Sequence, residues 1–193
     1  MDSTDQKAKL QRYLQEGRDA VVWKLDGLEA YDARRPLVRT GTNLLGIVKH
    51  LTFVELGYFG PVFDRPMGVE NPWFDDNAEP NADMWATPEE TQEEVVGGYR
   101  RSWTVADATI EALALDSPGV VPWWGGVDVT LHTILVHVIA ETHRHAGHAD
   151  LVRELIDGAA GFAADDSNMP PDDPAWWQSY FDRVEQAART AAS

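Results

Sequence analysis

Residues 131–158 read LHTILVHVIAETHRHAGHADLVRELIDG, a stretch with no proline that holds five of the chain's six histidines. Leu131, Ile134, Leu135, Val138, Ile139, Leu151 and Leu155 spread around the circumference at about 100° per residue, so the spacing predicts a central, poorly exposed helix. On the same rotation His137, Glu141, His145 and His148 fall within an arc of roughly 80°. His132 and His143 point to the other side. A packed helix that keeps four imidazole or carboxylate groups in one narrow stripe needs a reason for them.

The rest of the chain reads in the same period. Leu10, Leu14, Val21, Leu25 and Leu28 recur at helical spacing until YDARRP, where Pro36 disfavours helix at the residue before it. A second helix is predicted from Thr42, as N-cap, through NLLGIVKHLTFVELGYF to Gly60-Pro61. TPEETQEEVVGGYRRSWTVADATIEALAL opens with Thr87 as N-cap, Pro88 at the first position and Glu90 completing a capping box. DSPGVVPWWGGVDV breaks that helix, Asp128 or Thr130 caps the histidine-bearing one, and Asp173-Pro174 starts a last one. No strand alternation is sustained. The fold class predicted is all-α: an antiparallel four-helix bundle with two long loops, 61–86 and 158–173, and a short C-terminal helix, forming a single domain over 1–193. The tryptophans at 73, 85, 123, 124, 176 and 177 read as core and loop anchors, with Trp73, Trp85, Trp123 and Trp124 placed to wall a pocket.

Sixteen basic residues stand against 32 acidic ones, a net charge of −16. A field of that sign repels nucleic-acid backbones and anionic lipid surfaces, which turns the expectation towards a small-molecule substrate. With no cysteine, the chain has no disulfide, no thiolate metal site and no cysteine nucleophile. The polar N-terminus lacks the apolar core of a secretory signal, and no apolar run approaches the roughly 20 residues of a membrane span, so the expected location is cytoplasmic.

On spacing alone the stripe allows two readings. Glu141 could simply pair with His137 or His145 one turn away. Alternatively the group is compensated by a divalent cation, with Glu141 and His145 at i, i+4 reaching one ion from adjacent turns. A third ligand must then come from another helix, and the one histidine outside this segment is His50, in GIVKHLTFVE. Di-iron carboxylate bundles need Glu-x-x-His units, and Glu141 is followed at that spacing by Arg144. No His-Glu-x-x-His occurs either, so the pattern favours one mononuclear site.

TNLLGIVKHLTFVE, TPEETQEEVVGGYRRSW and HVIAETHRHAGHADLVRELIDG together resemble the DinB/YfiT-like family of metalloenzymes, in a branch related to the mycothiol-dependent maleylpyruvate isomerases and thiol S-transferases. The resemblance spans nearly the whole chain and implies a four-helix bundle. It implies a divalent metal held by His50, Glu141 and His145, with Glu141 standing where much of the family has histidine and the thiol-dependent isomerases have glutamate. A His/His/Glu set suits Zn²⁺ first, and also Fe²⁺, Ni²⁺ or Mn²⁺. His148, where relatives often carry glutamine, is the candidate catalytic residue: a fourth ligand, a partner that supports a ligand, or a proton carrier, the last a role His137 could also fill. The activity implied is transfer or isomerisation by a low-molecular-weight thiol, such as mycothiol or bacillithiol, acting as a metal-stabilised thiolate on electrophilic small molecules. A metal-water hydrolase and a non-catalytic metal- or ligand-binding module are the alternatives, and a homodimer is among the assemblies the resemblance allows. Asp150 and Arg153 read as a surface i, i+3 pair.

Overall fold

The computed structural model describes residues 3–69, 78–170 and 173–192, so Trp73 lies outside the described residues. These are mostly helical, with one small two-stranded sheet. The chain falls into two compact units, Met1–Ala160 and Gly161–Ser193. No helix among the described residues is long and apolar enough to cross a membrane.

The first unit is built on four long helices: α1 (Ser3–Val22), α3 (Leu44–Phe59), α4 (Gln92–Ala112) and α5 (Leu131–Asp157). Helix α3 packs on both α4 and α5, and α1 packs on α5. Their facing apolar residues, including Leu14, Leu45, Val48, Leu51, Tyr99, Ile110, Leu135 and Val138, make one contiguous core. Running through it is an ion network, buried at Arg18 and Glu55 and open to solvent at Asp107. Arg18 on α1 donates two hydrogen bonds to Glu55 on α3, at 2.9 and 2.6 Å, and a third to Asp107 on α4 at 2.9 Å.

Several predicted boundaries shift, each for a local reason. The first helix ends at Val22 rather than running on to YDARRP. A 3₁₀ turn, Trp23–Leu25, and Gly27 at φ 73° carry the chain into a separate short helix, α2 (Ala30–Arg34), which stops one residue before Pro36 is reached. Asn43, not Thr42, caps α3: its Oδ1 accepts from the Gly46 N–H at 2.8 Å, while the Thr42 hydroxyl lies by that of Thr40. Helix α4 begins four residues later than predicted, because TPEETQEE carries the capping-box spacing twice. Thr91 and Glu94 form the box that starts the helix. Glu90 accepts from the Thr87 N–H at 2.7 Å and from Lys49 Nζ at 2.8 Å, and closes a preceding turn.

The break between α4 and α5 is a hairpin that the sequence reading did not include: β1 (Pro118–Val121) pairs antiparallel with β2 (Val127–Thr130). Its tip is the 3₁₀ turn Pro122–Trp124, closed by Gly125 and Gly126 at φ 80° and 79°. Thr130, one of the two caps offered, accepts from Thr133 and starts α5. Helix α5 is not enclosed all round as expected. Leu151 and Leu155 are exposed, because they lie off the face turned to α1 and α3. In the second unit Asp173 and Pro174 start α6 (Pro174–Ala191) as predicted, and Trp176 stacks on Tyr180 at a ring-centre distance of 5.4 Å.

Candidate metal centre

Helix α3 delivers one side chain and α5 two. His50 projects from α3, one turn beyond Gly46, and Glu141 and His145 project from successive turns of α5. One potential ligand atom from each of the three lies within 4.8 Å of the others. His145 Nε2 is 3.1 Å from Glu141 Oε1, and His50 Nε2 is 3.7 Å from the same oxygen. His145 is buried; His50 and Glu141 are partly so. The three residues singled out from spacing and resemblance are thus brought together.

Asp83, which the sequence reading did not single out, completes the arrangement. It sits in a 3₁₀ turn, Ala82–Met84, and its Oδ2 is 2.6 Å from His50 Nδ1. The carboxylate takes up one ring nitrogen and leaves Nε2 directed at Glu141, the usual support of a metal-binding imidazole. Local sequence explains why the turn reaches α3. A Cβ on Gly46 would stand 1.8 Å from the Met84 carbonyl oxygen, so only glycine lets the turn close. The Asn43 side-chain amide then donates to that carbonyl at 3.3 Å.

The electrostatics keep the donors in the forms a cation accepts. Burial, reinforced by the His50 charge, pulls the His145 imidazole down to about 4 against the opposing pull of Glu141, so it is neutral at pH 7. Burial pushes the Glu141 carboxyl up, but His145, Arg144 and His50 outweigh it and hold the group below the ordinary glutamate range. Buried polar atoms are nearly always hydrogen-bonded, yet among the described residues His145 Nδ1 is buried without a hydrogen-bond partner. A neutral His145 imidazole, an ionised carboxylate and donor separations of 3.1 and 3.7 Å fit a divalent ion bound at ligand distances of about 2 Å.

His148 and His137 stand outside this trio. The His148 ring lies 5.3 Å from that of His145. His137 instead packs against Tyr58 and Trp124, at ring-centre distances of 4.7 and 4.8 Å. Burial lowers the His137 imidazole, partly offset by Glu141. A cavity of about 700 Å³ opens here, lined by His50, Val54, Tyr58, Trp123, His137 and Glu141. Of the tryptophans expected at a pocket, Trp123 lines this one from the hairpin tip, its indole N–H donating to the Tyr58 oxygen at 3.3 Å, while Trp124 packs on Tyr58 and His137. Trp85 is exposed, and its backbone oxygen accepts from Lys49.

The Asp150–Arg153 surface pair does not form. Lys24 reaches across from the segment after α1 to pair with Asp150 at 2.8 Å. The Arg153 guanidinium turns inward to the Lys24 and Asp26 carbonyls and to Asp157. Both residues lock α5 to the end of α1, and neither reaches the cluster.

No curated protein matches the chain. A family model described as mycothiol-S-transferase matches residues 9–158, a span that holds His50, Asp83, Glu141, His145 and both flanking histidines. The chain belongs to this DinB-like family of mycothiol S-transferases.

Proposed function

We propose that the protein is a metal-dependent thiol S-transferase that joins mycothiol to electrophilic small molecules, with His50, Glu141 and His145 holding a divalent ion, Zn²⁺ foremost. The observation that carries this reading is the convergence of those three donors beside an aromatic-walled cavity, in a chain of the mycothiol-S-transferase family. The pairwise packing of α1, α3, α4 and α5 supports the antiparallel four-helix bundle that the family resemblance implies.

A bound cation supplies stabilisation of a thiolate near neutral pH, chemistry that a chain without cysteine cannot supply itself. The chain's residues do the rest. Asp83 orients His50, and the buried His145 and the Glu141 carboxylate present neutral and anionic donors. Tyr58, Trp123 and His137 exclude water from the electrophile's side. Sulfur forms a bond to the electrophilic carbon as the leaving group departs with its electron pair, or as a conjugated double bond takes it up. The thiol proton passes to His148, next to His145, with His137 as the alternative carrier.

Protein purified with zinc should hold about one ion per chain and conjugate mycothiol to a bimane electrophile. His145→Ala should lose both the ion and the conjugation. Full zinc occupancy in that variant would overturn the ligand set. Zinc-loaded protein inert to every thiol would overturn the transferase reading while leaving the site.

A further inference from the structure

The cluster is reached from two sides that differ in chemistry. The first cavity is bounded, beyond the cluster itself, by Val54, Tyr58, Pro122, Trp123 and His137. A second, of about 500 Å³, shares only His50 and Glu141 with it. Its polar lining is Thr40, Thr42, Asn81, Arg144 and His148, placed among apolar side chains such as Met84 and Leu151. His50 and Glu141 therefore stand as a partition, with aromatic and aliphatic surface on one side and, on the other, hydroxyl, amide, guanidinium and imidazole groups set among Val38, Met84, Leu151 and Val152.

We infer that the two substrates approach from opposite sides: the hydroxyl-rich body of the thiol in the Thr42/Asn81/Arg144 cavity, and an apolar, flat electrophile in the Tyr58/Trp123 cavity. This rests on the transferase reading above. The hydrogen-bonding capacity of the two walls decides the assignment. Beyond the cluster, the aromatic side offers only the Tyr58 hydroxyl, which already accepts from Trp123, and the His137 ring, packed between Tyr58 and Trp124. A polyol placed there would find few replacements for the water it lost, the Tyr58 O–H and the His137 ring at most. An apolar ring gains from the same surface by burial and by edge or face contact with the indole and phenol. On the other side Thr40, Asn81 and Arg144 are exposed, so a hydroxylated group keeps its hydration or exchanges it for protein partners. Mycothiol is a cysteine amide of an amino sugar joined to inositol, all hydroxyls away from its sulfur. Asn81 and Met84 flank the Asp83 that braces His50, so the loop that orients a ligand is also part of the thiol's wall.

The test separates the two cavities by binding rather than turnover. Calorimetry on zinc-loaded protein would measure mycothiol, and separately a methylated bimane that lacks a leaving group. Asn81→Gly keeps the left-handed backbone at φ 64°, and Arg144→Gln alters an exposed side chain, so both should fold normally. Each should weaken mycothiol by about tenfold, the scale of one or two lost hydrogen bonds, and leave the bimane unchanged. Trp123→Leu should do the reverse, and Trp123→Phe, which keeps an aromatic wall, should restore most of the bimane affinity. Weaker mycothiol binding in Trp123→Leu, or equal effects of all variants on both ligands, would overturn the assignment while leaving the transferase reading intact. Wild-type protein that neither binds nor conjugates mycothiol would overturn both.

Discussion

Asp83 is the residue whose role the structure adds most plainly. Its carboxylate on His50 Nδ1 fixes which imidazole nitrogen faces Glu141, so Asp83→Asn should weaken zinc binding by roughly 10- to 100-fold in competition with a chromophoric chelator. Unchanged affinity would mean the contact does nothing for the ligand. No spacing or motif singles this residue out. Loop 61–86 contains six acidic residues in no helical phase, and nothing in their spacing says which one folds back onto α3. His50, Glu141 and His145 were legible for the opposite reason. Two sit at i, i+4 on a strongly periodic helix, and His50 is the lone histidine elsewhere, in a motif shared with the resembled family.

At the level of elements, the approach of the Ala82–Met84 turn to α3 depends on Gly46. Gly46→Ala puts a carbon where the Met84 carbonyl lies, so the turn must move away. Denaturant melts should show a loss of about 1–3 kcal/mol, and zinc affinity should fall with it, since His50 loses its brace; an unchanged melt would contradict the close packing. The Arg18–Glu55–Asp107 network ties α1, α3 and α4 together. Arg18→Met strands the fully buried Glu55 and should cost about 3–5 kcal/mol, whereas adding Glu55→Leu should recover much of it. A double variant no better than the single would show that packing, not charge, sets the loss. Long periodic segments announced these helices, but their ends were less readable. TPEETQEE offers two equivalent starts, and only the tertiary contacts of Glu90 with Lys49 and Arg34 make the first a turn. The hairpin has four-residue strands with Pro118 and Gly119 in the first of them. That composition argues against a strand until Gly119 is seen pressed against Val62 and Phe63.

Across the whole molecule, the site is a group of polar residues placed within a helical core, and its proton balance should be visible in stability. Folded chains protonate His145 only near pH 4, while unfolded chains do so near 6.5. Between those values the unfolded state binds more protons, so the stability of metal-free protein is full above pH 6.5 and falls as the pH drops towards 4. Glu141, held below its ordinary range, acts in the same direction at lower pH. Melts of chelated protein at pH 7, 5.5 and 4 check this; a rise in Tm on acidification would contradict it. On the proposed reading zinc would bind the folded chain through donors that only the fold assembles, so it should raise Tm at pH 7 and do so progressively less at lower pH.

On the proposed reading His50, Glu141 and His145 hold a cation that a thiol can join. Zinc-edge X-ray absorption of the loaded protein, recorded before and after adding mycothiol, addresses it most directly. Two imidazoles and carboxylate oxygen are expected at first, falling to one imidazole in any zinc left on His145→Ala. Added mycothiol should then bring a sulfur scatterer at about 2.3 Å. A zinc environment that keeps both imidazoles in His145→Ala, or that never acquires sulfur with mycothiol at saturation, would contradict it.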